Sequence, residues 1–227
     1  MSYQIWITDI LWYHSWSIVK FSFDFFDKDS NFESYSDNDV IDSILKWNKN
    51  DFYLIIDRYW DKIYRYIYYH FNFDKNITSD LTQDVFFHVL QKIDKFDNTQ
   101  KFEPWLYRVA HNCCLDWIRK NKNNLSESSL DDISYNIWED FDDNDLESSY
   151  KKELLFKILD SLDYKYRQVV LLSYFEQKSY DEISYIMWIS KAAVWTNLSR
   201  ARKKIKDIIE KNELLKDAIM IDSEFDL

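Results

Sequence analysis

The stretch SYDEISYIMWISKAAVWTNLSRARKKIK, from Ser179 to Lys206, constrains the fold of this chain more than any other. Ser179 followed at the third position by Glu182 is a capping-box start. Ile183, Ile186 and Met187 then recur at turn spacing. Ser190 can cap a second helix. In that helix Val194, Leu198, Ala201 and Ile205 fall on one narrow stripe at about 3.6 residues per turn. The opposite face carries Ala192, Thr196, Ser199, Arg200 and Lys203, and no acidic residue lies between Lys191 and Lys206. A short helix, a tight turn and a longer basic helix make a helix-turn-helix, whose second helix suits a DNA major groove. A basic amphipathic helix on a small bundle has the same pattern. The run Arg200-Ala-Arg-Lys-Lys favours phosphate contact, because fixed cations release counterions from DNA.

The net charge of -11 over 227 residues is the opposite of a DNA binder's usual balance. The total hides segregation: the second helix of the motif is basic up to Lys206, whereas Glu127 to Glu147 holds only acidic charges. Nucleic acid responds to the local field. At 46% hydrophobic residues the chain can form a packed core. The 2 cysteines, Cys113 and Cys114, are adjacent and lack any Cys/His set at metal spacing. Buried, reduced thiols are expected, as in a cytoplasmic protein. The N-terminal residues show neither a signal peptide nor a membrane span.

The expected fold is all-α, with two helical domains joined by an acidic flexible linker, the C-terminal one carrying the helix-turn-helix. The limits are a weakly structured extension over 1–39, a first domain over 40–122, a linker over 123–149, a second domain over 150–210 and a tail over 211–227. Apolar spacing predicts helices over 40–46, 51–71, 78–93, 104–120, 151–162 and 167–175. Thr78 is the expected cap of the third, with Leu81, Val85, Val89 and Leu90 buried and Asp80, Gln83, Asp84 and Phe87 off that face. Residues 94–101 form a polar loop in which Phe96 is expected to be exposed. Pro104 suits the first turn of the next helix. Leu106, Val109, Ala110, Cys113, Trp117 and Ile118 make its apolar face, and Arg108, His111, Asn112, Arg119, Lys120 and Lys122 its polar side. Aromatic residues beside cations suit single-stranded nucleic acid.

TSDLTQDVFFHVLQKIDKF, FEPWLYRVAHNCCLDWIRK and LDSLDYKYRQVVLLSYFEQKSYDEISYIMWIS with AVWTNLSRARKKI resemble, in order, the blocks of bacterial RNA polymerase sigma factors of the extracytoplasmic-function type. The resemblance implies promoter-specific transcription initiation, with core polymerase and promoter DNA as partners and an anti-sigma protein as a possible one. By position, Asp80, Leu81, Gln83, Asp84 and Phe86 would meet the polymerase clamp helices. Phe96, Asp97, Asn98 and Lys101 would take up a flipped base of the minus-ten element. Arg108, Asn112, Arg119 and Lys120 would follow the non-template strand. Lys191, Ala192, Thr196, Arg200 and Lys203 would read the minus-thirty-five element, and the linker would thread a basic channel. The sequence departs from the family at Ser184 (usually Ala), Asn197 (often Arg) and Gln177-Lys178 (in place of Glu-Gly). The alternative is a stand-alone helix-turn-helix regulator. No nucleophile with its base, metal set or glycine-rich phosphate loop is seen, so no catalytic, cofactor or metal residue is expected.

The chain has no glycine and 10 tryptophans, where a usual frequency gives roughly 16 glycines. Trp188 and Trp47 stand at interhelix turns that suit glycine. They, with Trp60 and Trp195, are the positions where a UGA codon read as glycine is expected. Trp105 and Trp117 instead match the family pattern.

Overall fold

This computed structural model describes residues 35–46, 49–71, 74–125, 155 and 157–211. The expected extension up to 34, the linker from 126 and the tail from 212 lie outside the described residues, as does Trp47. Among the described residues every regular element is helical.

Helix α1 spans Asp37–Lys46 and starts before the expected Val40. Asp37 anchors that extra turn, accepting from Arg58 Nη1 at 2.9 Å and from the Tyr59 hydroxyl at 2.5 Å. A 3₁₀ turn, Lys49–Asp51, leads into α2, Phe52–His70. The expected stripe Phe52, Ile55, Ile56, Tyr59, Ile63, Tyr66 and Ile67 is buried.

Helix α3 spans Lys75–Lys92 and is capped by Asp74, whose carboxylate accepts from the Ile77 N–H at 2.9 Å. Thr78 is therefore not the cap. It is fully buried inside the first turns, and its hydroxyl donates to the Asp74 carbonyl at 2.5 Å. Thr82 does the same to Thr78, the back-bonding open to a threonine within a helix.

Helix α4, Phe102–Leu125, continues past residue 122 into the stretch expected as linker. It buries Leu106, Tyr107, Val109, Ala110 and Cys114, while Cys113 is only half-buried. Burial pushes the Cys113 thiol up to about 12, with nearby Asp84 adding to it, and holds the Cys114 thiol well above its ordinary value. Both stay protonated and unreactive near neutral pH.

Residues 157–160 are helical, and Leu159 and Leu162 are buried. Helix α5, Tyr164–Val170, begins earlier than the expected Arg167 and passes into a π-helical turn, Leu171–Phe175. Helices α6, Tyr180–Met187, and α7, Lys191–Lys211, follow. The N-terminal helices pack α2 on α3 and α3 on α4, α7 lies on α5 and α6, and α6 also packs on α4. One core therefore runs from Ile41 on α1 to Leu198 and Ala201 on α7. Each fully buried Ile or Leu in it contributes about 1.5–3 kcal/mol.

Candidate nucleic-acid interface

The α6–α7 pair is held by local chemistry. The Ser179 N–H donates to Glu182 at 2.9 Å and the Glu182 N–H returns to Ser179 Oγ at 3.3 Å, a reciprocal cap whose serine is worth about 1 kcal/mol. Burial opposes charge on Glu182, but Ser179 and Lys101 outweigh it and hold the carboxyl below its ordinary range. At the far end of α6, Trp188 takes up φ 55°, ψ 44°. Its N–H and that of Ile189 both donate to the Ser184 carbonyl, a left-handed helix stop. Ser184 adds a brace of its own, its hydroxyl donating to the Ile189 carbonyl at 2.6 Å. The departure from alanine thus strengthens the turn. Ser190 caps α7, accepting from the Ala193 N–H at 3.2 Å.

Val194, Leu198 and Ala201 of α7 are buried and Ile205 packs against them. Ala192, Ser199, Arg200 and Lys203 are exposed, and Thr196 is half-buried with its hydroxyl on the Ala192 carbonyl at 2.8 Å. Lys191 is exposed but ion-paired with Asp181 of α6. Arg200 also reaches the Tyr166 side chain. Arg202 is turned away from this face and donates to the Tyr174 hydroxyl at 2.7 Å. Trp195 stands 61% exposed among these residues. The structure thus brings the expected minus-thirty-five residues together on one cationic face.

On α3, Asp80 and Asp84 are exposed and Gln83 is half-buried. Leu81 and Phe86, which the family resemblance put at the polymerase surface, lie in the core, Leu81 as its spacing predicts and Phe86 stacking on Trp60 at 5.6 Å. Phe87 is exposed beside Asp80 and Asp84. The signal lay in the spacing: 80, 84 and 87 share a helix face that 81 and 86 do not.

Phe96 likewise departs from expectation. It is buried, edge-on to Phe102 at 5.5 Å and close to Trp105 at 5.2 Å. Its ring therefore shapes the loop from beneath. Asp97 is exposed and closes a turn with Thr99 and Gln100; Asn98 ties the loop to Asp42 of α1 at 2.7 Å. On α4, Asn112, Arg119 and Lys120 are exposed, with Arg119 paired to Asp116 at 3.0 Å.

Arg108 is half-buried against α6, and Lys101, although exposed, reaches toward the same helix. Lys101 points to Glu182 at 3.4 Å. The Arg108 guanidinium lies over the Tyr185 ring at 4.9 Å and the Trp188 ring at 4.0 Å. An exposed cation–π contact returns about 0.5–1 kcal/mol, less than the roughly 1–2 kcal/mol that a left-handed non-glycine residue costs. Further contacts close this junction. Tyr66 of α2 donates to Gln168 of α5, and Tyr107 of α4 donates to buried Glu176. His70 and His111 both lie against Gln168. Burial pulls both imidazoles below their ordinary value, His70 far below, with Arg167 and His111 adding to the effect on His70. These long-range partners carry no signal in the sequence. Among the described residues no His/Cys/Asp/Glu group could hold a metal, and no helix is long and apolar enough to cross a membrane.

The family model for sigma-70 region 2 matches residues 55–124 and that for sigma-70 region 4 matches residues 152–205. The ECF RNA polymerase sigma factor SigM of Bacillus subtilis (strain 168) is 31% identical over 152 residues, covering 67% of this chain and 91% of SigM. This chain belongs to the sigma-70 family, in its ECF group. SigW of the same organism is 30% identical over 175 residues, covering 73% of this chain and 92% of SigW. The fold is that of CnrH, solved with the cytosolic domain of CnrY, at a TM-score of 0.59, 19% identity and coverage of 78% of this chain and 98% of CnrH. It is also that of RpoE from Bartonella quintana, solved with the anti-sigma factor NepR, at a TM-score of 0.56, 16% identity and coverage of 70% and 97%. As a sigma factor the protein binds core RNA polymerase and directs promoter-specific initiation. The region 2 match takes in most of α2, α3 and α4, and the region 4 match takes in α5, α6 and most of α7.

Proposed function

We propose that this ECF sigma factor divides promoter recognition between two surfaces. The minus-thirty-five element is read by the α7 face of Lys191, Ala192, Thr196, Arg200 and Lys203. The minus-ten element is opened and held by the loop at Asp97, Asn98 and Lys101, over buried Phe96, and by Arg108, Asn112, Arg119 and Lys120 of α4. The observation that carries this reading is the α7 face, which is cationic and outward over a stripe of buried apolar side chains. A helix so presented fits the major groove, and base extrusion needs a separate single-strand surface. Core polymerase docks on the α3 face of Asp80, Gln83 and Asp84, joined by Phe87, with Leu81 and Phe86 supporting it from within. The domain limits are those expected from sequence, extended to Asp37 at one end and Leu125 at the other. The acidic linker occupies a basic channel of the polymerase. The protein works in the cytoplasm, catalyses no reaction itself and is held by an anti-sigma protein. The complex in which RpoE was solved, with the anti-sigma factor NepR, supports that last reading.

Run-off transcription with purified core polymerase on promoters of the source genome tests the proposal. Transcripts that depend on both promoter elements are expected. Sequence-specific DNA binding by the isolated chain, with no co-purifying core and no transcript, would mark a stand-alone regulator instead.

A further inference from the structure

We infer that position 188 is glycine in the protein made by its source cell, its codon being UGA read as glycine. Three observations converge. A chain of 227 residues without a glycine is anomalous, and the same chain holds 10 tryptophans. Position 188 is left-handed, at the stop of α6 where the Ser184 carbonyl takes two N–H groups. A residue without Cβ adopts that backbone freely, which is why glycine dominates such stops. Finally, the indole at 188 is 74% exposed. Its contact with Arg108 returns less than the left-handed backbone costs.

The other described tryptophans do not present this combination. Trp60, Trp105 and Trp117 are packed against aromatic rings. Trp195 is exposed but lies inside helix α7, where the backbone asks for no glycine. Among the described residues Gln177 is the other left-handed one, at φ 49°, and no glutamine codon is UGA. UGA differs from the glycine codon GGA in its first base only. A composition rich in Asn, Lys, Ile and Tyr fits a genome low in GC, which disfavours the usual glycine codons. One consequence is functional. With glycine at 188, Arg108 loses one of its two aromatic partners and keeps Tyr185, so the cation is easier to hand to DNA.

The test is to read the gene and weigh the protein purified from the source organism. Trypsin releases Ser179–Lys191, which carries position 188, and Phe102–Arg108, which carries Trp105 as an internal control. The expected result is UGA at 188 with the mass of glycine in the first peptide, and UGG at 105 with the mass of tryptophan in the second. A UGG codon at 188 overturns the inference. So does a UGA codon paired with the mass of tryptophan.

Discussion

Lys178, just ahead of α6, reaches Glu103 on α4 at 3.1 Å with only 8% of its side chain exposed. It also lies over the Tyr107 ring at 4.6 Å. Burial opposes charge on Glu103, yet Lys62 and Lys178 together hold its carboxyl below the ordinary range. A buried cation thus joins the two halves of the sigma factor. Lys178→Ala is expected to cost about 1.5–3 kcal/mol, the range of a charged hydrogen bond, and no more, because Lys62 still neutralises Glu103. Denaturant midpoints of Lys178→Ala, Glu103→Gln and the double variant measure the coupling, and strictly additive losses would show the contact to be idle.

Arg200→Ala and Lys203→Ala are each expected to lower the salt slope of holoenzyme binding to the minus-thirty-five duplex by about one. Arg202→Ala should change it less, since Arg202 is held by Tyr174. Equal slopes for all three variants would remove the α7 face from the phosphate contacts.

Asp84→Arg and Phe87→Ala should weaken binding to core polymerase without lowering the melting temperature. Phe86→Ala should do the reverse first, losing about 3–5 kcal/mol of stability as a fully buried ring is removed. Affinity for core and a thermal melt, taken on the same samples, separate the surface residues from their support.

Acid should loosen the junction. His70 and His111 are buried neutral, with folded pKa values below the ordinary value of about 6.5. The unfolded chain therefore binds more protons in that range, and stability is full above about 6.5 and falls as the pH drops below it. The depressed carboxyls of Glu103 and Glu182 act in the same direction but at lower pH, below the ordinary glutamate value of about 4.3. Melting curves between these two limits should lose less stability in a His70→Gln, His111→Gln double variant. An unchanged pH profile would exonerate the histidines.

Trp188→Gly should raise stability by about 1 kcal/mol, the left-handed cost less the Arg108 contact. Trp188→Ala should not, because alanine retains Cβ at a positive φ. The two melting temperatures, compared with that of the tryptophan protein, distinguish relief of the backbone from loss of the indole.

What the sequence by itself determined was local. The capping box at Ser179 and Glu182, the stripe Val194, Leu198 and Ala201, the face of α2 and the left-handed turn at 188 all follow from neighbours within a turn or two of helix. Their chemistry is complete within that span. Tertiary structure decided what covers the inward face of α3: spacing already turns Phe87 off that face, whereas the stacking of the Trp60 ring of α2 on Phe86 at 5.6 Å has no local signal. It also decided the fate of Phe96, whose place in a polar loop suggested exposure until Phe102 and Trp105 closed around it. Asp74 rather than Thr78 caps α3 because the helix starts ahead of the threonine, whose N–H and hydroxyl both donate to the Asp74 carbonyl. The partners of Lys178, Tyr66, Tyr107 and Arg108 lie far away in sequence. Such pairs depend on where helices meet, and no periodicity along one chain segment records that meeting.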